Sequence, residues 1–361
     1  MDNRLIMRKI LFIFALILYI SSLQAQDPGF SQYYAAPLYL NPAYAGDKQD
    51  LNISINSRTF TNSDIANYNL MQISSIIPIE TPFLYKTNTA PDHFSGGGIS
   101  IYRESTGAQG ELNTLGFLGT LAHSIQVDRQ HYIAFGLQGG AIYKKQGDNF
   151  QWGSQYSENF GYDPSIIPSV EGLANLYTLF PTFSVGAMYF YNSGVLEDYF
   201  KKHDFDAYAG FAAYNVNRPN QSFFEETDAR LPIHYKINAG LKYHATKQFA
   251  LFPTILYSSQ NLNHQLNVGM YANVRTVKTI EAKKNVVNII AGVWYRVGDS
   301  YISTIGFTWY DFKFALSYDF NASNLEYNNR GKGATEVSMK YSIQNKKRGD
   351  RYSRGLMYPS F

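Results

Sequence analysis

The sequence predicts an all-β chain that closes into a transmembrane barrel of about 14 antiparallel strands, preceded by a plug-like N-terminal segment. Three observations carry this reading. Long stretches alternate aliphatic or aromatic residues with polar or small ones, which places one kind of side chain on each face of a strand. The 361 residues include 30 Tyr, 25 Phe and 28 Gly but only 16% charged residues, where a soluble domain carries about 25%. The connections also sort by length onto two sides, as in a barrel with short turns at one rim and longer loops at the other. A secreted β-sandwich or propeller alternates too, but gives no reason for an aliphatic–aromatic face on strand after strand. A closed barrel in lipid does, since it satisfies every backbone hydrogen bond without exposing an edge.

The chain opens with an export signal over residues 1–25. Arg4, Arg8 and Lys9 form a basic start, Ile10 to Ile20 is an apolar run, and Ala25 occupies the position before cleavage. A spanning helix needs roughly 20 apolar residues, more than this run supplies, so the stretch reads as a signal peptide and not as an anchor. With it go three cations and one anion, and the formal charge falls from +3 to +1. That near-neutral balance does not suggest nucleic acid as a partner. The absence of cysteine excludes an acylated cysteine, disulfides and thiol chemistry.

Residues 26–49 form a separate segment. Phe30, Tyr33, Tyr34, Tyr39 and Tyr44 share it with Pro28, Pro37 and Pro42, and from Gln26 to Gly46 it holds no basic residue. Each proline fixes its own φ and removes a donor, so neither a long helix nor a central strand runs through. The segment is expected on the periplasmic side, tucked into the lower lumen as a plug, with Asn41-Pro42 turning the chain toward the first strand. Its candidate residues are Phe30, Tyr33, Pro37, Asn41, Pro42 and Tyr44. Direct binding of a partner is the alternative to a plug.

The barrel is expected over 50–343. Ile233 to His244 alternates most cleanly: Ile233, Tyr235, Ile237, Ala239, Leu241 and Tyr243 point one way, His234, Lys236, Asn238, Gly240, Lys242 and His244 the other. Leu266 to Arg275, Val287 to Tyr295, Phe312 to Phe320 and Glu336 to Ile343 repeat the pattern. Strands are expected near 50–59, 68–77, 96–104, 110–126, 130–145, 179–191, 203–216, 231–245, 247–258, 262–276, 285–297, 301–310, 311–320 and 334–343. The long connections 146–178, 217–230 and 321–333 then fall on one side. The tight ones at Val127–Gln130, Ala245–Lys247 and Tyr310–Asp311 fall on the other. The connection 78–95, interrupted by Pro78, Pro82 and Pro91, is too long for its side. An even strand count leaves both termini periplasmic, including a basic tail over 344–361.

No two of the seven histidines have metal-ligand spacing; His234 and His244 share a face but lie about 34 Å apart at roughly 3.4 Å per residue. There is no G-x-S-x-G elbow and no phosphate loop. No catalytic, cofactor-binding or metal residue is assigned, and the chain is read as a non-enzyme without cofactors. Lys236, Lys242, Arg275, Arg296, Lys313, Asp319, Glu336 and Lys340 fall on inner faces. There they either line a polar pore or pair with one another and with plug backbone. In the loops, Trp152, Tyr156, Phe160, Tyr162 and Asp163, with Arg218 and Phe223, are candidate partner contacts; packing over the barrel mouth is the alternative for the aromatic group.

Several of these stretches also resemble one family. Asp27-Pro28-Gly29-Phe30-Ser31-Gln32-Tyr33 followed by Asn41-Pro42-Ala43-Tyr44-Ala45-Gly46 looks like the opening of the PorP/SprF proteins of Bacteroidetes. Gly161-Tyr162-Asp163-Pro164-Ser165-Ile166-Ile167-Pro168 is similar to the family's G-F-D-P-x-I-P loop with one extra Ile. Asn217-Arg218-Pro219-Asn220-Gln221-Ser222-Phe223, Val293-Trp294-Tyr295-Arg296 and Leu316-Ser317-Tyr318-Asp319-Phe320 match further motifs in order. The basic tail after Ile343 and Ser154 depart from the pattern. The resemblance implies an outer-membrane barrel of the type IX secretion and gliding apparatus. It further implies a cargo-specific accessory or surface anchor that binds secreted adhesins or other cargo beside periplasmic and outer-membrane secretion components. A passive outer-membrane channel or hydrophobic-solute transporter is the alternative of similar shape.

Overall fold

Fourteen antiparallel strands close on themselves. The computed structural model describes residues 29–46, 51–62, 66–79, 93–107, 110–128, 130–147, 155–157, 161–163, 166, 176–192, 205–224, 227–246, 248–276, 287–322 and 333–343. The expected signal peptide and the basic tail lie outside these residues.

The strands are β1 Leu51–Asn62, β2 Ala66–Ile79, β3 His93–Gly107, β4 Leu112–Asp128, β5 His131–Gln146, β6 Tyr156–Ser157, β7 Gly161–Tyr162, β8 Tyr177–Tyr191, β9 Phe205–Tyr214, β10 His234–His244, β11 Phe249–Gln260, β12 Asn263–Arg275, β13 Val287–Arg296, β14 Ser300–Trp309, β15 Phe312–Asn321 and β16 Thr335–Ile343. All but β6 and β7 form the wall, and β1 pairs with β16 from Leu51 opposite Ile343 to Thr59 opposite Thr335, which closes the seam. β6 and β7 pair with each other inside the long connection after β5. A two-residue strand carries too little alternation for the sequence to reveal it.

Alternation along the wall decides which side chains meet lipid. On β10, Tyr235, Ile237 and Leu241 are exposed while Lys236, Asn238 and His244 are buried; on β15, Leu316 and Phe320 face out while Ser317 and Asp319 face in. Leu137, Leu179 and Tyr177 are 66%, 67% and 66% exposed, as the outer face of a barrel in an apolar solvent should be. No described helix is long and apolar enough to cross a membrane; the crossing is made by strands.

Connections 63–65, 108–111, 147–176, 215–233, 261–262, 297–299 and 322–334 share one rim, the loop end. Connections 80–92, 129–130, 192–204, 245–248, 276–286 and 310–311 share the other, the turn end, with the wall termini Leu51 and Ile343. The three long loops anticipated at one rim are there. The turn end, however, also carries 80–92, 192–204 and 276–286, so it is not uniformly tight. Part of the anticipated 78–95 connection is strand: Pro78 lies in β2 opposite Gly96, past Ile76, the last β2 residue opposite β1. Strands tolerate proline at such an edge.

Residues 29–46 sit inside the wall. Prolines set their local form. Pro37 occupies the first turn of the short helix Pro37–Leu40. Asn41, held extended at φ −160 and ψ 128 by the proline after it, ends that helix. Pro42 then opens the 3-10 turn Pro42–Gly46, and a further 3-10 turn spans Tyr33–Ala35. Tyr33, Tyr34, Leu40 and Tyr44 pack with Met188, Phe190, Phe252, Tyr271 and Trp294 of the wall. The hydrophobic core of this protein is therefore the lumen itself.

This leader runs the height of the lumen. Gly46 lies against Ala122 and His123, near the turn end of β4. Phe30 packs with Tyr68 and Leu70, near the loop end of β2, and with the partly buried Phe60 and Tyr102. The leader's expected place in the lower lumen thus describes only its last residues. Leu51 and Ile343 share the turn end, but Gly29 lies toward the opposite rim, because its bonding partners are there.

Candidate functional site

Four strands present charge to the first turn of the leader. Glu336 on β16 accepts hydrogen bonds from the backbone N–H of Ser31 at 2.7 Å and of Gln32 at 3.0 Å. These amides precede the Tyr33–Ala35 turn and have no partner within it, so the carboxylate supplies what the helix start lacks. Asp319 on β15 accepts from the Ser31 hydroxyl at 2.6 Å and from Arg58 on β1 at 2.8 Å. Arg296, the last residue of β13, donates to the same Ser31 hydroxyl at 2.7 Å and pairs with Asp299 at 2.8 Å and Asp319 at 3.3 Å. Arg58 also donates to the Gly29 carbonyl. Gln32 completes the set, donating to the Ser317 hydroxyl and the Glu336 carbonyl while accepting from Ser338. Arg58, Arg296, Asp319 and Glu336 are all buried. Buried charges persist only when paired and hydrogen-bonded, and here leader atoms are among the partners.

An aromatic stack holds the next residues. Tyr34 lies over Trp294 at 4.8 Å between ring centroids and beside Tyr271 at 5.6 Å, which in turn stacks on Phe252 at 4.4 Å. Such pairs contribute roughly 0.5–1.5 kcal/mol beyond the area they bury. Tyr33 and Trp294 both hydrogen-bond the Thr254 hydroxyl, at 2.8 and 3.1 Å. Tyr34 donates to Thr304 at 3.3 Å.

Further along, the wall gives way to the backbone of the leader. The Asn41 amide donates to the carbonyls of Ala187 and Phe211, at 3.1 and 3.0 Å, and its oxygen accepts from the Ala43 N–H at 2.9 Å. The Tyr39 carbonyl accepts from Lys236 at 2.7 Å and from Tyr214 at 2.8 Å, and Asn238 donates to the Tyr44 hydroxyl at 3.0 Å. Glycines make this approach possible. A Cβ on Gly96 would overlap the Ala45 carbonyl, one on Gly136 the Pro42–Ala43 peptide, and one on Gly186 the Asn41 side chain. At Gly98 it would come within 2.7 Å of Leu38.

All six candidate leader residues are brought together: Phe30, Tyr33, Pro37, Asn41, Pro42 and Tyr44 are buried in one lumen. Of the inner-face charges, Lys236, Arg296, Asp319 and Glu336 bond leader atoms, which favours pairing with leader and neighbours over lining a pore. Other inner-face glycines serve the wall itself: Gly240 makes room for Tyr208, and Gly269 and Gly292 for Trp294. The glycines facing the leader, Gly96, Gly98, Gly136 and Gly186, were not linked to it from the sequence. Arg58 was missed as well; the alternation of β1 was its only signal.

The loop candidates are less concentrated. Trp152 and Phe160 lie outside the described residues. Tyr156 is 54% exposed and its backbone pairs with that of Tyr162; the Asp163 N–H donates to the Gln155 carbonyl at 2.9 Å. Arg218 and Phe223 belong to a separate connection built around Asn220. Its side chain accepts from the Ser222 and Ala229 amides and donates to the Thr227 carbonyl. Arg218 is exposed in the left-handed region at φ +45, and Phe223 is half-buried. Asn217 fastens this loop to β8, bonding the Phe183 N–H and the Pro181 carbonyl. Among the described residues no three His, Asp or Glu side chains gather as metal ligands.

A family model described as type IX secretion system membrane protein PorP/SprF matches residues 22–341. The chain belongs to the PorP/SprF family. With the closed barrel, membership makes this PorP/SprF protein a multi-pass outer-membrane component of a secretion system, and it points away from an enzyme. No curated protein matches the chain. Among solved structures it is similar to the Ralstonia pickettii toluene transporter TbuX, with 10% identity over 90% of this chain and 95% of that one and a TM-score of 0.47. A Pseudomonas aeruginosa FadL homologue shows 10% identity over 86% and 94%, with a TM-score of 0.45. CdiB from Acinetobacter baumannii shows 9% identity over 81% and 60%, with a TM-score of 0.41. These likenesses are of barrel architecture alone.

Proposed function

We propose that this protein is a cargo-specific accessory or surface anchor of type IX secretion that works by binding, with its lumen plugged by its own leader. The observation that carries the reading is the occupied lumen. Leader residues 29–46 meet β1, β13, β15 and β16 through charge and hydrogen bonds, and β3, β5 and β8 through glycines. Aromatic stacking and polar contacts bring in the strands between. A solute or a second chain would have to displace that whole set. Binding then falls to the loop end, where Tyr156, Arg218 and Phe224 are exposed, the last two on a connection tied to the wall, and secreted cargo or adhesin is the partner that the family suggests. Two measurements test this. Purified protein in a planar bilayer is expected to show no steady conductance; a stable open level would support a passive channel or transporter instead. Deleting the gene is expected to strip a subset of secreted proteins from the cell surface, and finding every one still exported and attached would sink the proposal.

A further inference from the structure

We propose that the leader enters the barrel from the loop face, at Gly29, opposite the rim at which the last wall strand ends. The leader then works as a strap through the lumen, joining the two faces.

Gly29 is bonded by Arg58, which sits four residues from the loop end of β1, and Phe30 packs on Tyr68, two residues from the loop end of β2. Ser31 meets Arg296, the last residue of β13 before its loop-end turn, and Glu336, the second residue of β16 after a loop-end connection. These anchors come from four strands, and every one lies at the same rim. Seventeen residues after Gly29, Gly46 is against Ala122 and His123 toward the opposite rim.

The lumen below Gly29 is occupied. Asn41, Pro42 and Ala43 are pressed to the wall at Gly186 and Gly136, and Tyr44 fills the space beside Phe190. With the turn-end side taken up by the leader's own later residues, Gly29 is approached from the loop side, where its anchors lie. The wall's own end, Ile343, pairs with Leu51 at the turn end, so Gly29 and the end of the wall lie at opposite rims.

The absence of cysteine makes the test clean. Single substitutions Asp27→Cys, Phe224→Cys and Tyr310→Cys are made in the full chain and assembled in the outer membrane. Intact and permeabilised cells are then exposed to a membrane-impermeant maleimide. Phe224, 49% exposed, reports the loop face, and Tyr310, 54% exposed in the 310–311 connection, reports the other. Asp27→Cys is expected to label with Phe224→Cys in intact cells, while Tyr310→Cys labels only after permeabilisation. Labelling of Asp27→Cys that tracks Tyr310→Cys overturns the proposal. So does a thiol at Asp27 that reacts on neither side until the barrel is unfolded. Pro28→Cys repeats the measurement should Asp27→Cys impair assembly. Because the criterion is shared sidedness with Phe224, it holds whether or not the protein binds cargo.

Discussion

The two halves of the leader are held by different physics. From Gly29 to Tyr34 the grip is made by long side chains, with Arg58, Arg296, Asp319 and Glu336 reaching in to hydrogen-bond backbone and hydroxyl groups. From Leu38 to Gly46 it is made chiefly by shape, with leader backbone lying where wall glycines leave room and isolated hydrogen bonds arriving from Lys236, Tyr214 and Asn238. Long side chains can shift by a rotamer and re-form a bond. Two backbones in contact cannot. The glycine half therefore decides whether the leader fits at all, and the charged half decides how firmly its loop end stays down.

The largest effect is expected at the glycines. Gly96→Ala and Gly136→Ala each add one methyl group, but into backbone on both sides. Overpacking costs about 1–3 kcal/mol where neighbours can adjust and more where they cannot. Loss of the compact, heat-modifiable barrel band on gels, or a lowered urea midpoint, would register it. If both variants assemble with unchanged stability, shape is not what limits the fit. Next comes Glu336→Ala, which strands two buried amides and leaves Arg58 and Arg296 short of an acid. Removing one partner of a buried charged set costs about 3–5 kcal/mol, yet here the leader's loop end can come free while the wall stays closed. Rapid protease cleavage within the leader of an otherwise folded barrel is the expected result. Glu336→Gln, which keeps an acceptor, should lose less. An equal loss from Gln and Ala would mean charge, not hydrogen bonding, does the holding.

Asn41→Ala should be milder, at about 1–3 kcal/mol for its lost bonds to buried carbonyls, read as a shift in the unfolding midpoint. It lies within the glycine half, against Gly186, so protease access at the leader's loop end should change little. Smallest in stability is Tyr156→Ala, an exposed site expected within about 0.5 kcal/mol of the parent. Its cost should appear instead as weaker retention of cargo at the cell surface. Unchanged retention would remove that loop from the binding surface.

The wall was legible because alternation is a local property. Tyr235, Ile237 and Leu241 announce their shared outward face within seven residues, and lipid enforces it. The leader's composition was also legible, since three prolines forbid a strand and five aromatics must be covered. Its reach was not. Gly136 and Gly186 look like any strand glycine until the opposing peptide is known, and nothing near Glu336 indicates that it will meet Ser31. Partners of that kind are set by closure of the whole wall, which no window of sequence contains.

Ser31 and Glu336 are separated by 305 positions in the chain. The carboxylate that caps the leader's first turn comes from the last strand to be made, and contacts between such distant residues are slow to form. The leader emerges from synthesis before any strand of the wall. Its loop end can be secured only when the final strand takes its place at the seam, so the first segment to be made is the last to be locked.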